Sequence, residues 1–381
     1  MATDFPADST PPRRILFCAR PGIGDLVMET PLLEALARAF PGAEVTLLAG
    51  RRAAELFAFD ARIGAVAVRE DLGIAEFDVL GTEEDYERLG RWLDEEAFDL
   101  IANGNNAPYP LRVAVRRRPG LARLDEDRAA EEAALAHGAN GVEAIAAAAR
   151  AGWGLEVNAG DFSVPERERS FWYMGDVHSS EWLGLQPYLV ILPKCGRGIK
   201  AWPENKWSTL IAIILRETNC SVFLMAGNSP EDFPYLLSKW GYPYPLRGRV
   251  IFNRILWEDK IFANKRDARF YLAAAALVIG ADTGLLHLAA ALGTPVVGIY
   301  GPTDPAVYLP PGARNASAGP PEDGCPHRRP RSLRHPECWR EDRCLIAEAP
   351  CTHAVGVLEV WERARAILPP EALNTGRARR V

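Results

Sequence analysis

The chain has 381 residues, 48% of them hydrophobic and 25% charged, which fits a folded protein of two domains rather than one. Its 44 Lys and Arg against 50 Asp and Glu leave a net charge of −6, so no global positive field exists to hold a nucleic acid. No apolar run reaches the roughly 18 residues of a membrane span. The opening MATDFPADSTPPRR lacks a basic-then-apolar signal. A cytoplasmic protein is expected, with peripheral contact at the inner face of the cell membrane left open. Seven cysteines, an odd number in an intracellular-looking chain, read as reduced thiols.

Apolar runs and helical stripes alternate along the chain, the pattern of parallel sheets covered by helices. Arg14 to Ala19 is a first buried strand, closed by Arg20-Pro21-Gly22. Thr30-Pro31 reads as an N-cap followed by proline at the first helical position, ahead of the stripe Leu32, Leu33, Leu36, Ala37 and Phe40. Residues 43–49 and 98–102 are further strands, and 129–150 reads as one helix. A second series starts at Pro187: strand 188–192, helix 206–218, strand 221–226, helix 268–276, strand 277–280, helix 284–292 and strand 295–300. A last helix, about 355–367, has no strand of its own. Charge is uneven, with 19 Arg and 30 Asp+Glu before residue 171, net −11, and a net of +5 after it. All six lysines fall between Lys194 and Lys265.

In doubly wound sheets ligands lie beyond the carboxyl ends of the strands, so the loops there are the candidate sites. The first, Arg20 to Asp25, contains Gly22 and Gly24 but has Val27 where a dinucleotide fingerprint needs its third glycine. It offers a backbone approach to a ligand and one carboxylate, Asp25, which also fits a helix cap. The second, Lys194-Cys195-Gly196-Arg197-Gly198-Ile199-Lys200, is glycine-rich and basic without being a Walker loop. Lys194 and Lys200 suit a diphosphate as rotatable point charges, or a solvated surface. Trp202 and Trp207 beyond it read as core packing. The third, Asp282-Thr283-Gly284-Leu285-Leu286-His287, is a strand-to-helix junction whose unpaired amides and dipole favour a phosphate. Thr283 and His287 share a helix face there, although a buried histidine is equally at home in a core.

GIGDLVMETPLLEALARAFP, the K-x-WP of Lys200 to Pro203, ADTGLLHLAAALGTPVVGIYGPTDP and Cys344-Leu345, in that order, resemble glycosyltransferase family 9, the heptosyltransferases. The resemblance implies an α/β GT-B fold, two Rossmann-like doubly wound domains facing across a cleft. It implies an acceptor-binding domain over 1–168, a linker over 169–187, a nucleotide-sugar domain over 188–353, and a C-terminal helix in 354–381 packing back on the first domain. It implies inverting transfer of a sugar, heptose from an ADP-sugar, in lipopolysaccharide biosynthesis, with no cofactor or metal required. Asp25 takes the position of the general base, and Lys200 that of the lysine near the donor phosphates. Gly24, Lys194, Gly196, Asp282, Thr283, Gly284 and His287 complete the donor site. Chemically, a carboxylate takes the acceptor proton while positive charge meets the departing diphosphate.

Asn105, Arg112 and Arg116 are the candidate acceptor-binding residues, the arginines within a local patch with Arg117, Arg118 and Arg123. A net charge of −11 in that half fits a neutral sugar, small molecule or protein acceptor better than a phosphorylated lipid core. Asp125-Glu126-Asp127 reads as a solvated face. Cys325, Cys338, Cys344 and Cys351 contain no Cys-x-x-Cys spacing and are expected to pack an irregular loop rather than bind metal. Autotransporter heptosyltransferases among the family hold iron on cysteines in this region. A nucleotide-sugar-binding protein without turnover is the alternative from another class.

Overall fold

The computed structural model describes residues 11–58, 60–74, 80–103, 106–164, 187–225, 250–252, 268–320, 325–348 and 350–373. Asn105, the linker 169–186, and most of the 227–267 segment lie outside the described residues. The chain divides into two units, Met1–Val164 and Pro165–Val381.

The first unit is a parallel sheet in the order β3-β2-β1-β4-β5: β1 Arg14–Cys18, β2 Glu44–Ala49, β3 Ala65–Val68, β4 Leu100–Ala102 and β5 Ala122–Leu124. Central β1 is buried along Ile15–Cys18, because helices cover both faces of a parallel sheet. Two expectations need correction here. Thr30 is not an N-cap: a short helix, Ile23–Met28, precedes the helix Thr30–Ala39, and the Thr30 hydroxyl donates to the Val27 carbonyl at 2.8 Å. Residues 129–150 form two helices, Arg128–Ala136 and Gly141–Trp153. The break is Gly138, at φ 101, a conformation that side chains oppose. Asn140 then restarts the chain with a capping box to Glu143.

The second unit has the order β11-β10-β9-β6-β7-β8, all parallel where paired: β6 Tyr188–Leu192, β7 Ser221–Leu224, β8 Val250–Phe252, β9 Leu277–Ala281, β10 Val296–Ile299 and β11 Ala316–Ala318. On one face the helix Glu204–Glu217 packs Trp207, Leu210, Ile211 and Ile214 onto the sheet. Each such burial contributes roughly 1.5–3 kcal/mol. Trp202 and Trp207 meet edge to face at 4.8 Å, and the Trp202 indole N–H donates to the Val355 carbonyl at 3.1 Å. They are core residues.

The terminal helix Val357–Ile367 packs on the helix Glu204–Glu217 and on β9, β10 and β11 of its own unit. Val360, Trp361 and Ala364 form its apolar stripe, and the Trp361 indole donates to Glu217 Oε2 at 3.0 Å.

Candidate functional site

In a doubly wound sheet the ligand crevice opens where the strand order reverses. In the second unit that point lies between β6 and β9. From β6 the chain runs through the basic loop into a single 3-10 turn, Gly198–Lys200. Asp282 is the first residue past β9. Lys200 Nζ donates to Asp282 Oδ2 at 3.1 Å, and Thr303 Oγ1, from the loop after β10, donates to the same oxygen at 2.8 Å. Three adjacent strands thus deliver one cation, one carboxylate and one hydroxyl to a single point.

Asp282 is 5% exposed. Burial, the largest influence, favours its protonated form, but Lys200, His287 and the Thr303 hydroxyl together hold it below the usual carboxylate range. Asp282 therefore stays ionised and holds the Lys200 ammonium at the strand ends. The next residue, Thr283, is extended and precedes the helix Gly284–Ala291; its hydroxyl does not cap that helix. The helix start adds its positive end to the Lys200 charge. His287 is buried one turn into it. Lys194 and Gly196 lie exposed on the basic loop. The Cys195 thiol, raised by burial, donates to the Arg197 carbonyl at 3.0 Å. Thr303 was missed at the sequence level, since its role follows from β10 lying beside β9; the only signal was the GPTDP turn.

In the first unit the reversal falls between β1 and β4. Asp25 sits in the first turn of the helix Ile23–Met28, with Gly24 beside it. A Cβ on Gly22 would collide with the Asp25 carboxylate, so glycine is what lets that carboxylate fold back over the loop. One turn on lies Glu29, fully buried. Its Oε2 accepts from the Arg20 backbone N–H at 3.0 Å, and its Oε1 accepts from Asn103 Nδ2 at 3.1 Å across the reversal point. The Arg20 guanidinium also lies 3.3 Å from Glu29 and 2.9 Å from both Glu126 and Glu131. Asn106 Nδ2 donates to Glu126 Oε2 at 2.9 Å. Burial pushes the Glu29 carboxyl up to about 8, only partly offset by Arg20.

This network overturns the reading of Asp125-Glu126-Asp127 as a solvated face. Glu126 is buried on Arg20; Asp127 caps the helix Arg128–Ala136 by accepting from the Ala129 and Ala130 amides; Asp125 Oδ1 is buried with no hydrogen-bond partner among the described residues. The reason is that β5 stops at Leu124, which delivers all three residues to the carboxyl edge.

Arg112 and Arg116 lie on the helix that follows β4. Arg112 lies over the Tyr109 ring at 5.6 Å, and Arg116 ends the helix Tyr109–Arg116. A helix after a parallel strand runs back toward the amino edge, so Arg116 is carried away from the strand ends where Asp25 stands. Arg117 and Arg118 are paired with Glu83 and Asp94. A groove of about 710 Å³ lined by Arg13, Phe98, Arg118 and Leu121 opens at that amino edge, remote from the motif loops.

Burial raises the Cys338 and Cys351 thiols, and each is pushed further by neighbouring thiols that include Cys325 and Cys344. The four thiols therefore lie within electrostatic reach of one another. Among the described residues no three His, Cys, Asp or Glu side chains are arranged to hold a metal ion. No described helix is long and apolar enough to cross a membrane.

A family model, glycosyltransferase family 9 (heptosyltransferase), matches residues 115–233 and 267–331. Lipopolysaccharide heptosyltransferase 1 of Salmonella typhimurium (strain LT2) is 35% identical over 121 residues, 32% of this chain and only about a third, 34%, of that protein. The enzyme of the same name from Pseudomonas aeruginosa (strain PAO1) is 29% identical over 309 residues, 77% of this chain and 79% of its own. Among solved structures, a glycosyltransferase family 9 protein from Veillonella parvula superposes with a TM-score of 0.64 at 14% identity, covering 93% of this chain and 97% of the other. E. coli ADP-heptose lps heptosyltransferase II gives 0.61 at 17% identity, covering 93% and 98%. Two doubly wound units, each with its charged residues at the strand-order reversal, define a protein of the GT-B class. Within that class the chain is similar to glycosyltransferase family 9.

Proposed function

We propose that this protein is an inverting glycosyltransferase that moves a heptose from an ADP-sugar to an acceptor hydroxyl in lipopolysaccharide assembly. The observation that carries the reading is the Lys200–Asp282–Thr303 constellation at the reversal point of the second sheet. The E. coli relative with the same fold is described as an ADP-heptose enzyme, which supports the donor. In the proposed step the acceptor O–H gives its proton to the Asp25 carboxylate as its oxygen bonds to the sugar C1. The bond from C1 to the diphosphate oxygen breaks, and its electron pair leaves with ADP. Lys200 and the start of the helix Gly284–Ala291 meet the growing negative charge, and the proposal assigns no part of that task to a metal. Gly24, Lys194, Gly196, Thr283, Gly284 and His287 line the donor side in this reading. The carboxyl-rich surroundings of Arg20 favour an uncharged glycan or protein acceptor over a phosphorylated one, with Arg112 beside it. Location in the cytoplasm, at the membrane surface, belongs to the same proposal.

Calorimetric titration with ADP, UDP and GDP tests the donor: ADP is expected to bind most tightly, and tighter UDP or GDP would overturn the ADP-sugar assignment. Asp25→Asn tests the base. Transfer is expected to fall at least 10²-fold, unchanged by EDTA in the parent, with ADP affinity retained. Activity within about tenfold of the parent removes Asp25 from that role.

A further inference from the structure

The Gly198–Lys200 turn is a short, glycine-flanked piece of backbone, yet it must present Lys200 to Asp282 in one geometry. Two contacts from a distant segment reach it. Asp342 Oδ1 accepts the Ile199 amide N–H at 2.9 Å. The Arg197 guanidinium carbon lies 4.3 Å from the centroid of the Trp339 ring, inside the range of a cation–π contact. The same indole stacks with His335 at 4.0 Å, and His335 stacks with Tyr308 at 5.9 Å. Tyr308 ends the helix Pro305–Tyr308, just past Thr303. A column of planar groups therefore ties the loop after β6 to the loop after β10, the two loops that converge on Asp282.

The backbone at Asp342 fits this task. It ends the helix Glu337–Glu341 in the left-handed conformation, at φ 51, which Asp and Asn tolerate better than other side chains. The family model matches up to residue 331, short of Trp339 and Asp342.

We infer that Trp339 and Asp342 are positioning residues: the 335–342 segment is a strap that holds the Arg197–Lys200 turn in the shape that binds the donor diphosphate. The inference rests on the proposed donor site for its ligand, but the tie itself is independent of ligand. Without the strap the turn loses the Asp342 anchor on Ile199 and the planar rest under Arg197, and Lys200 samples positions away from the strand ends.

Two measurements on the full chain separate these points. Hydrogen exchange of the Ile199 amide, without ligand, reads the tie; calorimetric titration with ADP reads its consequence. Asp342→Gly keeps the left-handed backbone and removes the acceptor, whereas Asp342→Asn keeps both. Trp339→Leu removes the ring under Arg197. Faster exchange at Ile199 is expected in Asp342→Gly, and ADP affinity about five- to tenfold weaker in Asp342→Gly and Trp339→Leu. Asp342→Asn should stay within about twofold of the parent, a rescue that general loss of stability would not produce. Unchanged exchange at Ile199 in Asp342→Gly overturns the strap, as does ADP affinity within about twofold of the parent in both disruptive variants. A parent that binds no ADP overturns the donor assignment instead, while faster exchange in Asp342→Gly still supports the tie.

Discussion

Replacing Lys200 by methionine separates what the Lys200–Asp282 pair does for the fold from what it does for a ligand. The lysine side chain is 14% exposed and the aspartate side chain 7%, so solvent screens the pair little. Removing one partner of a buried pair costs about 3–5 kcal/mol, because the other charge is left uncompensated. Here Thr303 still donates to Asp282, and His287 still favours its ionised form. Asp282 can also escape by taking a proton. The lower end, about 3 kcal/mol, is therefore expected, which for a unit of this size lowers Tm by roughly 6–12 °C. Lys200→Met/Asp282→Asn removes both charges and should recover most of that loss, to within about 1 kcal/mol. It should not recover ADP binding, because the ammonium is gone. Thermal unfolding and ADP titration on the three proteins give the answer. A single variant that melts within about 2 °C of the parent refutes the energetic argument, and a double variant that binds ADP like the parent refutes the assignment of Lys200 to the diphosphate.

Three further outcomes follow from the first unit. Glu29 has its carboxyl raised from 4.5 to about 8, so the folded state holds a proton that the unfolded chain releases; stability contributed by it is full below about 4.5 and declines as pH rises toward 8, by at most about 1.4 kcal/mol per pH unit. Glu29→Gln should flatten that decline in urea titrations from pH 5 to pH 8, and an unaltered pH profile would contradict the burial argument. Gly22→Ala places a Cβ against the Asp25 carboxylate and should cut transfer while leaving ADP affinity as in the parent; full transfer activity would show that the carboxylate need not fold back there. Arg20→Met leaves Glu126 and Glu131 without their shared cation and should cost about 3–5 kcal/mol of stability, with Arg20→Lys recovering part; an unchanged urea midpoint would show the network to be energetically idle.

The central strands were legible because parallel strands buried on both faces read as plain apolar runs, as at 188–192, 277–281 and 296–299. The loops at their carboxyl ends then pointed to Asp25, Lys200 and Asp282. What was not legible depends on which strands become neighbours. Thr303 joins Asp282 only because β10 lies beside β9, and Glu126 reaches Arg20 only because β5 lies beyond β4 and β1. Edge strands of three residues, such as Ala122–Leu124, are too short to show a pattern. The alanine-rich run 129–150 hid its break, since helix propensity summed over the window outweighs one glycine.

The contacts described for the Lys200–Asp282–Thr303 constellation are made by residues of the second unit, and those described around Asp25 and Arg20 by residues of the first. The two groups of residues are thus separable by substitution. Substitutions that retune what the first unit recognises do not pass through the packing that holds Lys200, and the reverse is equally true. The charge of the first half, −11 over residues 1–170, can therefore be altered by substitution without touching the residues that hold Lys200 and Asp282 together in the second.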